Sequence, residues 1–496
     1  MSARLRAFAR LGEGTFDLCV IGAGIVGSRA AYEASRDGLR VALVDAGDIG
    51  GATSSASSKL LHGGLRYFVQ GHIGIARDGL REKHALRRDI VPGLVRSMPT
   101  LVSVQRRRWA GSLALRGALA AHDAVGGWRG PRSRVIDAAE AHRLVPDVPG
   151  DGPFFVFDQV QVDDGRLTLA TALAAADRGA IVMNHARVRG IVWAAGEARV
   201  TVQGPEGDIT VRAKAVLNAS GPWVDVVRRM EDPRAAPIAR LSKGVHLVLP
   251  VESPWNAALS VHVDDAHNLL AIPWNDALLV GITDTAFDGS PDRLAATDDD
   301  VDLMLQLAQL LLPAALVRRE RIRAVSAGLR VLPLGMEPTA HARRDNVTDV
   351  SAQGMVSIAG GKLTTHRLEA MDALRLLPAS VRPRQRAPSR ETIVGVAPPI
   401  ARSDVPAATL AYLAATYGDK LADVLASAAN DPTALERIHP DGPDVWAQAR
   451  YAIASELAMT VDDITDRRTS LRWRGLADEA TRERIARMLL PRLVPS

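Results

Sequence analysis

The run FDLCVIGAGIVGSRAAYEASRDGLRVALVDA, residues 16–46, constrains the fold more than any other stretch of the chain. An apolar strand-like segment leads into Gly22-x-Gly24-x-x-Gly27, a helix-period segment follows, and a second apolar segment ends at Asp45, eighteen residues past Gly27. Gly22 permits a tight turn, Gly24 lets a pyrophosphate approach the helix N-terminus, Gly27 allows close helix packing, and Asp45 accepts ribose hydroxyls. Together they predict a strand–helix–strand unit of a parallel sheet with a bound dinucleotide. The glycine fingerprint by itself does not separate NAD from FAD.

The next segment makes that separation. GATSSASSKLLHGGLRY, residues 51–67, is a long path of hydroxyls and backbone donors where a nicotinamide enzyme would start another crossover unit. It suits an extended FAD, and it makes Thr53, Ser54, Ser55, Ser57, Ser58, Lys59, His62, Gly63, Gly64 and Leu65 candidate cofactor contacts. Two later strand–turn–helix patterns bring more backbone to the same place: VLNASGP, with Ala219 and Gly221, and SIAGGKLTT, with Gly360, Gly361, Lys362, Leu363 and Thr364. No second full fingerprint with a following acid is present, so a separate nicotinamide site is not expected.

Composition removes several other classes. A chain of 496 residues implies two or three domains. The longest nearly apolar run, 303–317, contains two Gln and a Pro and is short of the roughly 20 residues of a membrane span. The basic N-terminus has no apolar stretch behind it, so it is not read as a secretory signal, and the protein is expected inside the cell. The single cysteine, Cys19, leaves no set for a disulfide, an iron–sulfur cluster or a Cys-based zinc site, and no metal is expected. A net charge of +5 comes from dispersed basic residues, and aromatics are only 4% of the chain, which argues against nucleic acid as a partner. Only six of the 61 basic residues are Lys, so a Lys inside a Gly-rich motif stands out.

Along the chain, 76–91 and 106–128 have helical periodicity, 163–177 reads as an N-capped helix closed by Gly179, and 198–213 reads as a hairpin. Residues 240–335 show short strands around a helix at 297–318, which predicts an antiparallel sheet. The Pro- and Arg-rich 378–390 reads as a linker, and about 404–490 as helical.

With VIGAGIVG, ATSSASSKLLHGGLRY, VDDGRL, LNASGPWVD, RLSKGVHLVLP, IPWNDALLVGITDT, SAGLRVLP, IAGGKLTTHR and ELAMTVDDITDRRTSL in this order, the chain resembles the FAD-dependent glycerol-3-phosphate dehydrogenases of the respiratory, quinone-linked type. The resemblance implies an α/β fold: a glutathione-reductase-like FAD-binding Rossmann domain, an antiparallel-sheet substrate domain and a C-terminal helical cap domain. The oxidoreductase region then spans 14–377, with FAD-binding segments at about 16–75, 150–225 and 340–377 and substrate segments at about 76–149 and 226–339. The helical domain spans 391–496. The implied reaction is oxidation of sn-glycerol 3-phosphate to dihydroxyacetone phosphate by hydride transfer to flavin N5, with electrons passed to quinone. The implied setting is a homodimer attached peripherally to the cytoplasmic face of the cell membrane.

That reaction needs a cationic clamp for phosphate, a group polarising the reacting oxygen and a base. Arg66 and Arg330 match family arginines near the substrate, and their planar forks suit a phosphate dianion. Lys362, at a helix start, would stabilise negative charge on the flavin or the substrate oxygen. His246 in SKGVHLVLP is the preferred base, with His62 as competitor. Tyr67, Thr283 and Asp284 complete the expected pocket. The chain departs from the family where Val331 follows Arg330, and this keeps open another polyol phosphate, a phosphonate or an amine or hydroxy acid as substrate. Oxygen as the acceptor also stays open.

Overall fold

The computed structural model describes residues 3–63, 72–103, 116–117, 119–121, 123–127, 130–150, 153–262, 268–334, 346–400, 405–429 and 431–493. Gly64, Leu65, Arg66 and Tyr67, and much of the expected helix at 106–128, lie outside them.

The first sheet has the strand order Val347–Val350, Val356–Ala359, Gly207–Asn218, Thr15–Ile21, Val41–Val44, Ile181–Met183. The four inner pairings, from Val356–Ala359 to Ile181–Met183, are parallel. Within Thr15–Ile21 the run from Leu18 to Ile21 is apolar on both faces because both are covered. Leu18 and Val20 pack against the helices Ile25–Arg36, Asp164–Asp177 and His366–Arg375, while Cys19 and Ile21 face Val188, Ile191 and Val200. Burial pushes the Cys19 thiol up to about 12, so it packs as a small apolar group. The strand Gly207–Asn218 serves two partners. Its first half closes a hairpin with Glu197–Gly204, and its second half runs parallel to Thr15–Ile21. This long strand therefore carries the Ala219–Gly221 turn to the same sheet end as Gly22.

The second sheet has ten strands and is mostly antiparallel, with Ala239–Pro250 paired to Ala324–Pro333 and to Ala277–Gly281 at its centre. It includes Leu60–Leu61 and Phe154–Val162, from stretches expected to belong to the FAD domain. The reason is continuity. Phe154–Val162 pairs along its length with Val95–Ser103, and Asp163 then caps the FAD-domain helix by accepting from Arg166 N–H at 3.0 Å. Local pattern shows a strand there but not which sheet it joins. The helix expected at 297–318 is shorter, Asp298–Ala308, started by a reciprocal capping box between Thr297 and Asp300.

The 378–390 stretch is pinned rather than slack. Ser389 donates its N–H to Glu33 at 2.8 Å, and its carbonyl accepts from Arg29 at 2.8 Å and Arg367 at 2.6 Å. Beyond it, the helices Ala407–Tyr417, Leu421–Ala426, Trp446–Ser455 and Glu479–Leu493 bury two further apolar clusters. No described helix is long and apolar enough to cross a membrane.

Candidate active site

A cavity of about 760 Å³ runs from Asp45 past the Gly22–Gly24 turn and residues 53–58 to Gly360–Leu363 and Arg330. Gly22 adopts φ +102, and a Cβ there would lie 2.6 Å from the Ala219 carbonyl. Gly24 differs: a Cβ would meet only Ser54 Oγ, at 3.3 Å, so the position is open towards the cavity. Ser54 accepts from Ile25 N–H at 3.0 Å, at the first turn of the helix. Gly27 is a packing position, since a Cβ would fall on the Gly22 carbonyl and 3.2 Å from Ala219 Cβ. Asp45 accepts from Ala23 N–H at 2.6 Å and Gly47 N–H at 2.8 Å. Desolvation nevertheless pushes its carboxyl above the ordinary value.

The polar segment divides its labour. Thr53 Oγ1 donates to the Leu329 carbonyl at 2.7 Å and ties the cofactor loop to the second sheet. Ser55 turns back on the Ala52 carbonyl. Ser57 and Ser58 line the cavity, as does His62, whose ring faces Gln159. Lys59 does not line it: the residue is 1% exposed, with its ammonium on Asp164 and on the Ser55 carbonyl at 2.8 Å. The same ammonium lies over the Trp473 ring. Gly63 is buried, and Thr364 is buried with its hydroxyl accepting from His62 N–H at 2.9 Å.

At the other wall, Ala219 and Gly221 line the cavity beside Gly360, Gly361, Lys362 and Leu363. Gly361 has φ +99, and a Cβ there would run into the Glu369 carboxylate. Glu369 accepts from Lys362 N–H at 2.9 Å and from Thr365 Oγ1 at 2.7 Å. Burial pushes this carboxyl up to about 7. Sequence reasoning missed Glu369, although a Glu four residues after Thr365 in a helix start was a usable signal.

Arg330 lines the cavity, with one guanidinium nitrogen donating to the Thr283 carbonyl at 2.9 Å and another 3.3 Å from Asp284. Thr283 and Asp284 thus stand behind the arginine. Thr283 Oγ1 accepts from Val245 N–H at 2.9 Å, and Asp284 also accepts from Ser242. Gly244 gives the guanidinium room, because a Cβ there would lie 2.8 Å from it. His246 is only 1% exposed and reaches the cavity through Ser58, whose hydroxyl lies 2.9 Å from Nε2. Burial, and then the charges of Arg330 and Lys59, push the imidazole down to about 3, so it is neutral.

The sequence did not point to the C-terminal domain as part of this cavity, yet Thr460, Asp463, Asp466 and Arg467 line it. Asp48, His185 and Asp463 bring ligand-type atoms within 4.8 Å of one another, but Arg467 and Arg468 occupy the Asp48 carboxylate.

An FAD fits these residues. The volume is within the roughly 300–1,000 Å³ of small-molecule and cofactor pockets. The open Gly24 position stands at a helix N-terminus, where backbone N–H groups favour a pyrophosphate. Asp45 offers an acceptor at one end, and the Lys362 segment offers a cation at the other.

Residues 17–367 match the FAD dependent oxidoreductase family, and residues 384–493 match the C-terminal domain of alpha-glycerophosphate oxidase. A Mycobacterium leprae glycerol-3-phosphate dehydrogenase is 34% identical, covering 94% of this chain and 82% of its own length. An aerobic glycerol-3-phosphate dehydrogenase of Staphylococcus saprophyticus is 33% identical over 73% of this chain and 67% of its own. In fold, the chain is similar to a Bacillus halodurans glycerol-3-phosphate dehydrogenase complexed with FAD, with TM-score 0.73 at 24% identity over 99% and 97% of the two chains. It also resembles an FAD-bound L-alpha-glycerophosphate oxidase of Mycoplasma pneumoniae, with TM-score 0.57 at 18% identity over 73% and 95%.

Proposed function

The chain belongs to the FAD-dependent oxidoreductases, in their glycerol-3-phosphate dehydrogenase and oxidase group, and from that premise we propose that it oxidises sn-glycerol 3-phosphate to dihydroxyacetone phosphate. The observation that carries this reading is Arg330, held by Thr283 and Asp284 in the wall of the cavity that Ser58 and Lys362 also line. Bound FAD supplies the ring that accepts the substrate hydride. Arg330 clamps the phosphate through charge-assisted hydrogen bonds, the role the sequence also assigns to Arg66. Lys362 stabilises negative charge that develops on the reacting oxygen or the ring.

Ser58 and His246 take the alcohol proton. The Ser58 hydroxyl receives it while passing its own proton to His246 Nε2. An imidazole pushed down to about 3 is a weak base, and two of the causes are the Arg330 and Lys59 charges. A phosphate dianion brought to Arg330 offsets those cations and raises the basicity of His246 when substrate is present. A cavity dry enough for this exchange is also one in which the clamp acts at full strength.

The one cysteine is buried in a strand, so the chain offers no thiol relay between a bound FAD and its acceptor. We read quinone as the acceptor, reached by a homodimer attached to the inner membrane face through its basic surface, where each cation near anionic lipid contributes about 1 kcal/mol. A second reading is favoured by the match of residues 384–493 to an alpha-glycerophosphate oxidase domain: oxygen is the acceptor and peroxide the product. Salt and detergent washes of cell membranes, followed by paired assays with a ubiquinone analogue and for peroxide, separate the two. Salt-releasable enzyme that reduces the quinone much faster than oxygen supports the first. Stoichiometric peroxide from an enzyme that never sediments with membranes supports the second. Running the assay with other polyol phosphates and a phosphonate tests the substrate.

A further inference from the structure

The C-terminal domain meets the cofactor cavity through residues 456–472. Asp48, 4% exposed, accepts from Arg467 Nε at 2.5 Å and from both terminal nitrogens of Arg468, at 2.5 and 2.8 Å. His185 Nε2 lies 2.9 Å from Asp463, and Asn184 donates to the Leu457 carbonyl at 2.8 Å. Both guanidiniums reach one carboxylate from consecutive positions because 464–468 is a widened turn, closed by Thr469 N–H on the Ile464 carbonyl at 3.0 Å. On the FAD side, these contacts attach to the backbone that carries Asp45. The Asp45 carbonyl accepts from Ala186 N–H and the Gly47 carbonyl from His185 N–H, each at 2.7 Å. Burial pushes the Asp48 carboxyl up, but Arg468 and Arg467 outweigh it and hold the group below its ordinary value.

Ion pairs between domains commonly serve only to dock them. These differ in position, because Asp48, His185, Asp463 and Arg467 are themselves cavity wall. We infer that the C-terminal domain is part of the FAD site: residues 460–467 close the cavity at its Asp45 end, and cofactor binding and docking of this segment strengthen each other. The coupling follows from linkage, since a ligand that touches the docked arrangement and not the undocked one must favour docking by as much as docking favours it. The inference rests on FAD as the cofactor, which the wild-type binding measurement checks on its own.

The test measures FAD dissociation constants by flavin fluorescence for the wild type, Arg467→Ala and Arg467→Lys, and hydrogen exchange of residues 456–472 in apo and FAD-loaded wild type. Arg467→Ala leaves Arg468 on Asp48, so the domain stays folded, which far-UV circular dichroism verifies. Expected are FAD binding weaker by about tenfold or more in Arg467→Ala, partial recovery in Arg467→Lys, and slower exchange of 456–472 when FAD is bound. Unchanged affinity in a folded Arg467→Ala protein, or exchange of 456–472 that is the same with and without FAD, overturns the inference. Should Arg467→Ala not fold, the wild-type exchange comparison decides alone. Wild type that binds no FAD would refute the cofactor rather than the role of the cap.

Discussion

His246 Nε2 lies 2.9 Å from the Ser58 hydroxyl, across the boundary between the second sheet and the loop of the first domain. The histidine is inside the protein and the serine is in the cavity wall, and in the proposed mechanism the substrate proton passes through the hydroxyl. Ser58→Ala and His246→Ala should therefore both slow anaerobic flavin reduction at saturating substrate, by about 10²–10⁴-fold, with a smaller change in KM. Because the free-enzyme imidazole is pushed down to about 3, kcat/KM should show no His246 inflection near the ordinary histidine value. Reduction at wild-type rate in Ser58→Ala would remove the relay.

The two glycines Gly24 and Gly27 sit three residues apart and should fail differently. Gly24→Val points into the cavity past Ser54, so the protein should fold and purify colourless. Gly27→Val pushes a side chain into the Gly22 carbonyl and the Ala219 methyl, and it should lower the melting temperature of the apo protein itself. Absorbance at the flavin bands and apo-protein melting distinguish the two. Full flavin content in Gly24→Val would contradict the cavity assignment.

Much of this was legible in the sequence, and the limits have physical causes. The strand–glycine–helix–acid spacing located the parallel sheet and one end of the cavity because it is short-range geometry. Lys59 shows what spacing leaves open. It stands in the polar 51–67 segment, yet its ammonium is drawn to Asp164, 105 positions away, and is buried there. Ser58 and His246 are 188 positions apart, so their pairing is a property of the fold. Arg467 and Arg468 stand in a segment that carries part of the resemblance, but nothing local shows their partner Asp48, 419 and 420 positions away. Glu369 was legible and overlooked.

Glu369 provides a test of stability against pH. Its carboxyl is pushed up to about 7 from an ordinary 4.5 by burial, so between those values the folded protein holds a proton that the unfolded chain has lost. Stability then falls as pH rises through that window, by about 1.4 kcal/mol for each unit of difference, and stays reduced above it. Glu369→Gln keeps an oxygen for the Lys362 and Thr365 donors and loses the titration. Its melting temperature should exceed that of the wild type at pH 8, and the gap should close towards pH 4.5. A gap that is constant across this range would show that the carboxyl does not titrate there.

Whether this cavity brings a phosphorylated secondary alcohol to bound FAD can be read from an anaerobic titration of the purified yellow protein. Stoichiometric bleaching by sn-glycerol 3-phosphate is expected, with none by glycerol, and Arg330→Ala should need about tenfold or more substrate for the same bleaching, as expected for loss of a charged hydrogen bond. Flavin that stays oxidised with saturating sn-glycerol 3-phosphate under nitrogen would contradict it.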